Sequence, residues 1–195
     1  MKERIIMCRA VDPRILLDNA NHNIFSALAD QGVYTCRDRV EFFGKPGMYD
    51  VNRVKFQVKS QIWDIHFKAM KLGVSINWLL WHVPRDRMPK AQKPAFAEEQ
   101  QMITKEQMRD NIGSHMKLVR EETNLNQCDM YYLLTGDRDK FLYRYKSGGV
   151  KVGQWERSDC FPPIHVVAAL ARAEDVTVDH VLYRQAYKEG VRAGG

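Results

Sequence analysis

Two clusters of side chains in this 195-residue chain have the types and spacing to recognise an anionic, hydrogen-bonding surface. The first is Asn52, Arg53 and Lys55; the second is Arg138, Lys140, Tyr143 and Arg144. Arginine offers a rigid fork of donors that matches the paired acceptors of guanine. Asn and Gln both donate and accept, which matches adenine, and lysine is a mobile point charge suited to phosphate. The plain alternative is that these are solvated charges on helix faces.

The rest of the chain offers no competing chemistry. Cys8, Cys36, Cys128 and Cys160 lie far apart without a CxxC pair, so free thiols in a reducing compartment are expected. His66, His82, His165 and His180 are isolated and lack a metal-ligand pattern. Glu98-Glu99 and Glu121-Glu122 are adjacent pairs, which point to different sides of a helix and form no acid–base dyad. There is no P-loop, G-x-G-x-x-G, H-E-x-x-H or G-x-S-x-G motif. The expectation is a protein without catalytic residues, metal or cofactor. A net charge of +6 and a pI near 9.1 favour an anionic partner. No apolar run approaches a membrane span, and Arg9 and Asp12 cut short the N-terminal apolar run. A cytoplasmic protein with no membrane partner follows.

Positioning these side chains falls to short helices. Leu72-Gly73-Val74-Ser75-Ile76-Asn77-Trp78-Leu79-Leu80 reads as a helix end, a tight turn and a new helix. Gly73 suits a left-handed position, Ser75 suits an N-cap, and Ile76, Leu79 and Leu80 share one face. A worn second copy runs from Asp175 to Leu182, with Thr177 as cap and Val178, Val181 and Leu182 as face. The chain therefore reads as one helical unit used twice. Ahead of the first copy, Asp12-Pro13 opens a short helix with Ile15, Leu16 and Leu17, and a second helix runs from Asn23 to Asp30 and stops at Gly32. Thr35 caps a third, with Val40, Phe42 and Phe43; Lys45-Pro46-Gly47 is a turn. A fourth helix, 49–56, exposes Asn52, Arg53 and Lys55, and Ile62, Ile65, Ala69 and Met70 mark an amphipathic helix leading into Gly73. Trp63, Trp78, Trp81 and Phe67 read as core at helical spacing.

Residues 83–103 form a basic linker broken by Pro84, Pro89 and Pro94. Thr104 and Gln107 make a capping box for a helix to about Glu122, with Ile112, Met116 and Val119 inward. Leu125-Asn126-Gln127 begins another helix, carrying Met130, Tyr131, Leu133 and Leu134 to Gly136. Asp137 caps a helix through Phe141, Leu142 and Tyr145 that ends at Gly148-Gly149. From Gly149 to Phe161, Val150 and Val152 alternate with lysine and glycine ahead of Trp155, which predicts a small β-hairpin or extended arm. After Pro162-Pro163, Ile164, Val167, Ala168 and Leu170 mark an amphipathic helix. The domain reading is thus 12–82, linker 83–103, 104–184, and a basic tail 185–195.

Leu72–Leu80 resembles the leucine-glycine-valine-serine-x-x-tryptophan-leucine-leucine ending of the Cro/C1-type (lambda-repressor-like) helix-turn-helix family. In the second half, Leu125-Asn126-Gln127 resembles the family's leucine-serine-glutamine, and Arg144-Tyr145-Lys146-Ser147-Gly148 its later arginine-tryptophan-glutamate-x-glycine. The two stretches together cover about Asn23 to Tyr183. The resemblance implies an all-α fold of two tandem five-helix domains, with the hairpin or arm inserted in the second. It implies base reading by Asn52, Arg53 and Lys55 in one unit and by Arg138, Lys140, Tyr143 and Arg144 in the other. Arg37 and Lys45, and on the second unit Asn126 and Gln127, would lie on the DNA backbone.

The function implied is a sequence-specific regulator of double-stranded DNA, a repressor of phage or mobile-element type, working as a homodimer on an operator. Two units in one chain could also span half-sites ~34 Å apart. Trp81, Trp155 and Phe161 are interface candidates. The rival reading is a protein-interaction module such as an antirepressor or an inhibitor of a host protein. It is motivated by the long turn at Lys45–Met48, by Cys36 where the family has glutamine, and by the 149–161 insertion.

Overall fold

The computed structural model describes residues 10–43, 62–81, 103–136 and 144–186. They fall into two compact units, one within Pro13–Gln101 and the other within Met102–Gly195, the latter including residues 10–12. Both are helical, with no strand among the described residues. The expected turn at Lys45–Gly47, the helix at 49–56, the cap at Asp137 and nearly all of the 83–103 linker lie outside the described residues.

The first unit opens with α1 (Pro13–Asp30), a single helix in place of the two short ones expected. No glycine or proline interrupts residues 14–30, and Leu16, Ala20, Ile24, Ala27 and Leu28 keep one buried stripe throughout. Its asparagines, poor helix formers by themselves, are used inside the fold. Asn19 donates to the Leu80 carbonyl at 3.1 Å, and the buried Asn23 to that of Leu79 at 2.8 Å. Gly32, at φ 77°, ends the helix as expected. In α2 (Cys36–Phe43) the cap is reciprocal: Asp38 N–H donates to Thr35 Oγ1, and Thr35 N–H to the Asp38 carboxylate. The Thr35 donors hold the Asp38 carboxyl below the usual carboxylate range. In α3 (Ile62–Leu72), Ile62, Ile65, Ala69 and Leu72 are buried, and Lys68 is buried beside Asp64 at 2.8 Å. Gly73 takes φ 66°, Val74 N–H reaches back to the Ala69 carbonyl, and Ser75 Oγ accepts from Trp78 N–H at the head of α4 (Ile76–Trp81). Of the four aromatics expected in the core, Trp78 is buried and Trp63, Phe67 and Trp81 are half-buried.

In the second unit Thr104 and Gln107 form the expected capping box of α5 (Lys105–Thr123). Asn126 caps α6 (Gln127–Thr135), which stops at Gly136, φ 66°. Next comes α7 (Arg144–Glu156), running straight through the glycines expected to end a helix and through most of the predicted hairpin or arm. Residues two apart on a helix differ by about 200°, so Val150 outside and Val152 inside fit a helix as well as a strand. The glycines let two helices approach. A Cβ on Gly148 would sit 2.6 Å from the Tyr131 ring, and one on Gly149 2.6 Å from Cys128 Sγ. α8 (Ile164–Glu174) and α9 (Val178–Tyr183) complete the unit, with Thr177 Oγ1 accepting from His180 N–H as expected. The core joins Met108, Ile112, Met116 and Val119 of α5 to Met130, Leu134, Val152, Trp155, Val167, Leu170 and Leu182. Trp155, 5% exposed, belongs to that core and is not an interface candidate; Phe161 is half-buried.

The units repeat one closing device. In each, a long first helix ends at a left-handed residue, Gly32 or Asn124, followed by a side-chain-capped helix. In each, the penultimate helix ends at another, Gly73 or Asp175, followed by a Ser- or Thr-capped six-residue helix. A pair spaced i, i+4 on the first helix then takes the carbonyls at the end of that last helix. Asn19 and Asn23 take Leu80 and Leu79; Asn111 and His115 face Leu182 and Arg184.

Candidate nucleic-acid interface

The eleven residues singled out from the sequence divide sharply. Lys45, Asn52, Arg53, Lys55, Arg138, Lys140 and Tyr143 lie outside the described residues. Arg37 is on the exposed side of α2, with its Nε 3.2 Å from Glu41 Oε1. Asn126 spends its Oδ1 on the backbone N–H groups of Cys128 and Asp129 and donates through Nδ2 to Asp129, so it is first the cap of α6. Arg144 is the first residue of α7. Gln127 opens α6 and is half-buried.

Gln127 joins a cluster that no spacing rule marked. Its Nε2 donates to Glu156 Oε2 at 2.8 Å, while Glu156 Oε1 accepts from Arg120 Nε. The Glu156 side chain is 8% exposed and that of Arg120 23%. One carboxylate thus ties the end of α5, the start of α6 and the end of α7 together, and both oxygens have donors, as burial of a charge requires. Backbone packing reinforces the joint: a Cβ on Gly113 of α5 would lie 2.9 Å from the Trp155 carbonyl oxygen. Tyr131 of α6 stacks on Trp155 with centroids 6.1 Å apart.

This joint fixes which side of α7 faces out. Gly148, Gly149, Val152, Gly153 and Trp155 are buried, whereas Ser147, Val150 and Lys151 are exposed and Gln154 is half-buried. These four fall at i, i+3, i+4 and i+7, one outer stripe of a helix. Val150 is 61% exposed, and Lys151 Nζ lies 5.7 Å from the Tyr131 ring centroid. Just beyond, Arg157 Nε and Nη2 engage Asp159 Oδ2 at 3.2 and 3.0 Å. The stripe combines a cation, an amide, a hydroxyl and an apolar tip, the set that can meet phosphate, base edges and a thymine methyl.

Sequence reasoning missed this stripe because it read residues 149–161 as a hairpin or arm, whereas the helix runs on through Glu156. At the end of α7, Trp155 is buried and the Glu156 carboxylate is engaged. The helical spacing of Ser147, Val150, Lys151 and Gln154 is present in the sequence, but the alternation of Val150 and Val152 with lysine and glycine disguises it. Among the described residues no group of three or more His, Cys, Asp or Glu could hold a metal, and no helix is long and apolar enough to cross a membrane. Cys128 and Cys160 are free thiols. Comparison with family models, curated proteins and solved structures returns no match.

Proposed function

We propose that the chain is a sequence-specific regulator of double-stranded DNA transcription, acting as a repressor by occlusion, whose second unit lays α7 in the major groove. The observation that carries this reading is the Arg120–Glu156–Gln127 joint, which holds α6 and α7 in fixed register with the Ser147, Val150, Lys151 and Gln154 stripe facing out. A reading helix must be held rigidly by a second helix that crosses the DNA backbone. The repeated closing device supports two tandem units of lambda-repressor-like type. The positive net charge of +6 suits a polyanionic partner.

The test is binding of the full chain to fragments of DNA flanking its own gene, at low and at moderate salt. Lys151→Ala should weaken binding to all fragments and flatten the salt dependence by about one counterion. Gln154→Ala should instead erode the preference for one fragment by roughly 1–3 kcal/mol for each base that the amide reads. Absence of any preferred fragment, with weak salt dependence, would overturn the reading.

A second reading, a protein-interaction role, is favoured for the first unit by its α2. Arg37 there is paired with Glu41, and Arg39 donates to the Tyr34 carbonyl and lies 4.6 Å from the Phe25 ring centroid. Cys36 stands where the second unit has Gln127. The first unit would then serve assembly, as a dimerisation or partner-binding module, while the second reads DNA. Arg53→Ala without effect on DNA binding would support this division.

A further inference from the structure

The His115 imidazole, 2% exposed on α5, lies between two acceptors. Its Nδ1 is 2.6 Å from Glu174 Oε2 at the end of α8, and its Nε2 is 3.0 Å from the backbone carbonyl of Arg184, just past α9. A carbonyl oxygen only accepts, so Nε2 must carry hydrogen. A neutral imidazole then has none left for Nδ1, whose lone pair would face a carboxylate. Both contacts are hydrogen bonds only when the His115–Glu174 pair holds one proton more than imidazole plus carboxylate. Imidazolium facing carboxylate satisfies this, and so does a carboxyl O–H donating to Nδ1. Among the described residues the second Glu174 oxygen is buried without a hydrogen-bond partner, so His115 is the polar contact that they give this carboxyl group.

The neighbouring residue of α5 holds the same segment. Ala186 N–H donates to Ser114 Oγ at 3.1 Å, and Ser114 Oγ donates to the Asn111 carbonyl. From α9, His180 faces His115 edge to face at 5.5 Å between ring centroids. Burial foremost, and then His115 and Arg184, lower the pKa of His180, while Glu174 opposes them.

We propose that residues 184–186 are held on α5 by a proton-dependent clasp, closed while the His115–Glu174 pair keeps its proton and opened at Arg184 when rising pH removes it. After that deprotonation a single ring hydrogen remains. The carboxylate is the stronger acceptor, so the hydrogen stays at Nδ1. The Arg184 carbonyl then faces a bare nitrogen, and the segment leaves α5. This device is independent of the DNA reading.

The experiment is nuclear magnetic resonance on the full chain across a pH series, following the His115 ring nitrogens and the Ala186 amide. In the wild type both should change together, and Ala186 protection against hydrogen exchange, corrected for base catalysis, should fall about tenfold on opening. In Glu174→Gln, the side-chain amide can donate to Nδ1 while Nε2–H stays on Arg184. Ala186 should then stay protected throughout. His180→Gln should leave the wild-type response in place. The proposal is overturned if Ala186 ignores the His115 change, if Glu174→Gln opens as the wild type does, or if His180→Gln abolishes the response. Should Glu174→Gln fail to fold, the wild-type series decides alone.

Discussion

Glu156 shapes the candidate interface without having to touch DNA. Its carboxylate is shared by Arg120 and Gln127, residues 36 and 29 positions away. Glu156→Ala leaves Arg120 without its partner and should cost about 2–3 kcal/mol in chemical denaturation of the second unit, below the range for a fully buried pair because Arg120 keeps some contact with water. Glu156→Gln retains one acceptor and should cost less. His66 makes a different prediction for the first unit. It is 2% exposed, its ring tilted against that of Trp63 with centroids 4.7 Å apart, and burial lowers its pKa to about 4. The unfolded chain therefore binds a proton near pH 6.5 that the folded unit refuses until about pH 4. Stability is complete above pH 6.5 and declines as pH falls through that window, by at most about 3 kcal/mol. Thermal melts of His66→Leu should show a flatter acid limb than the wild type. Caps such as Ser75, Thr104 and Thr177 are legible in the sequence because donor and acceptor lie within one turn of each other. The partners of Glu156 are not, because no local spacing encodes a contact across three helices.

At the scale of elements, glycine misleads most. Gly148-Gly149 has the look of a helix stop, yet both lie inside α7, where α6 comes too close for any side chain. On propensity alone Gly148→Ala should stabilise a helix by about 1 kcal/mol. Against Tyr131 at 2.6 Å it should instead destabilise the unit by roughly 1–3 kcal/mol, measured by urea unfolding. Tyr131→Ala should relieve the clash, so the double variant should show a clear favourable coupling. α1 misleads in the opposite sense. Two short helices are expected there, but the helix is continuous and carbonyls of a later helix take the donors of Asn19 and Asn23. α3, α4, α8 and α9 are legible because each carries an unambiguous apolar stripe beside a cap or a left-handed end.

For the whole molecule, the all-helical character and the doubled closing motif are readable, because Leu72–Leu80 and its worn copy carry the same turn chemistry. Ser75→Ala and Thr177→Ala each remove one N-cap and should each cost about 1 kcal/mol. The caps belong to different units and share no partner, so the double variant should show the sum, read as separate shifts of two calorimetric transitions. The carbonyl-catching pairs Asn19/Asn23 and Asn111/His115 bring the beginning of each unit beside its end. Such a unit is topologically a loop with its clasp at the join. The second unit should accept new termini cut at the exposed turn around Asp159, its old ends bridged by a short linker, and still fold. A unit whose way in and way out are neighbours can also be copied head to tail without unravelling its core, the kind of module that duplication can multiply.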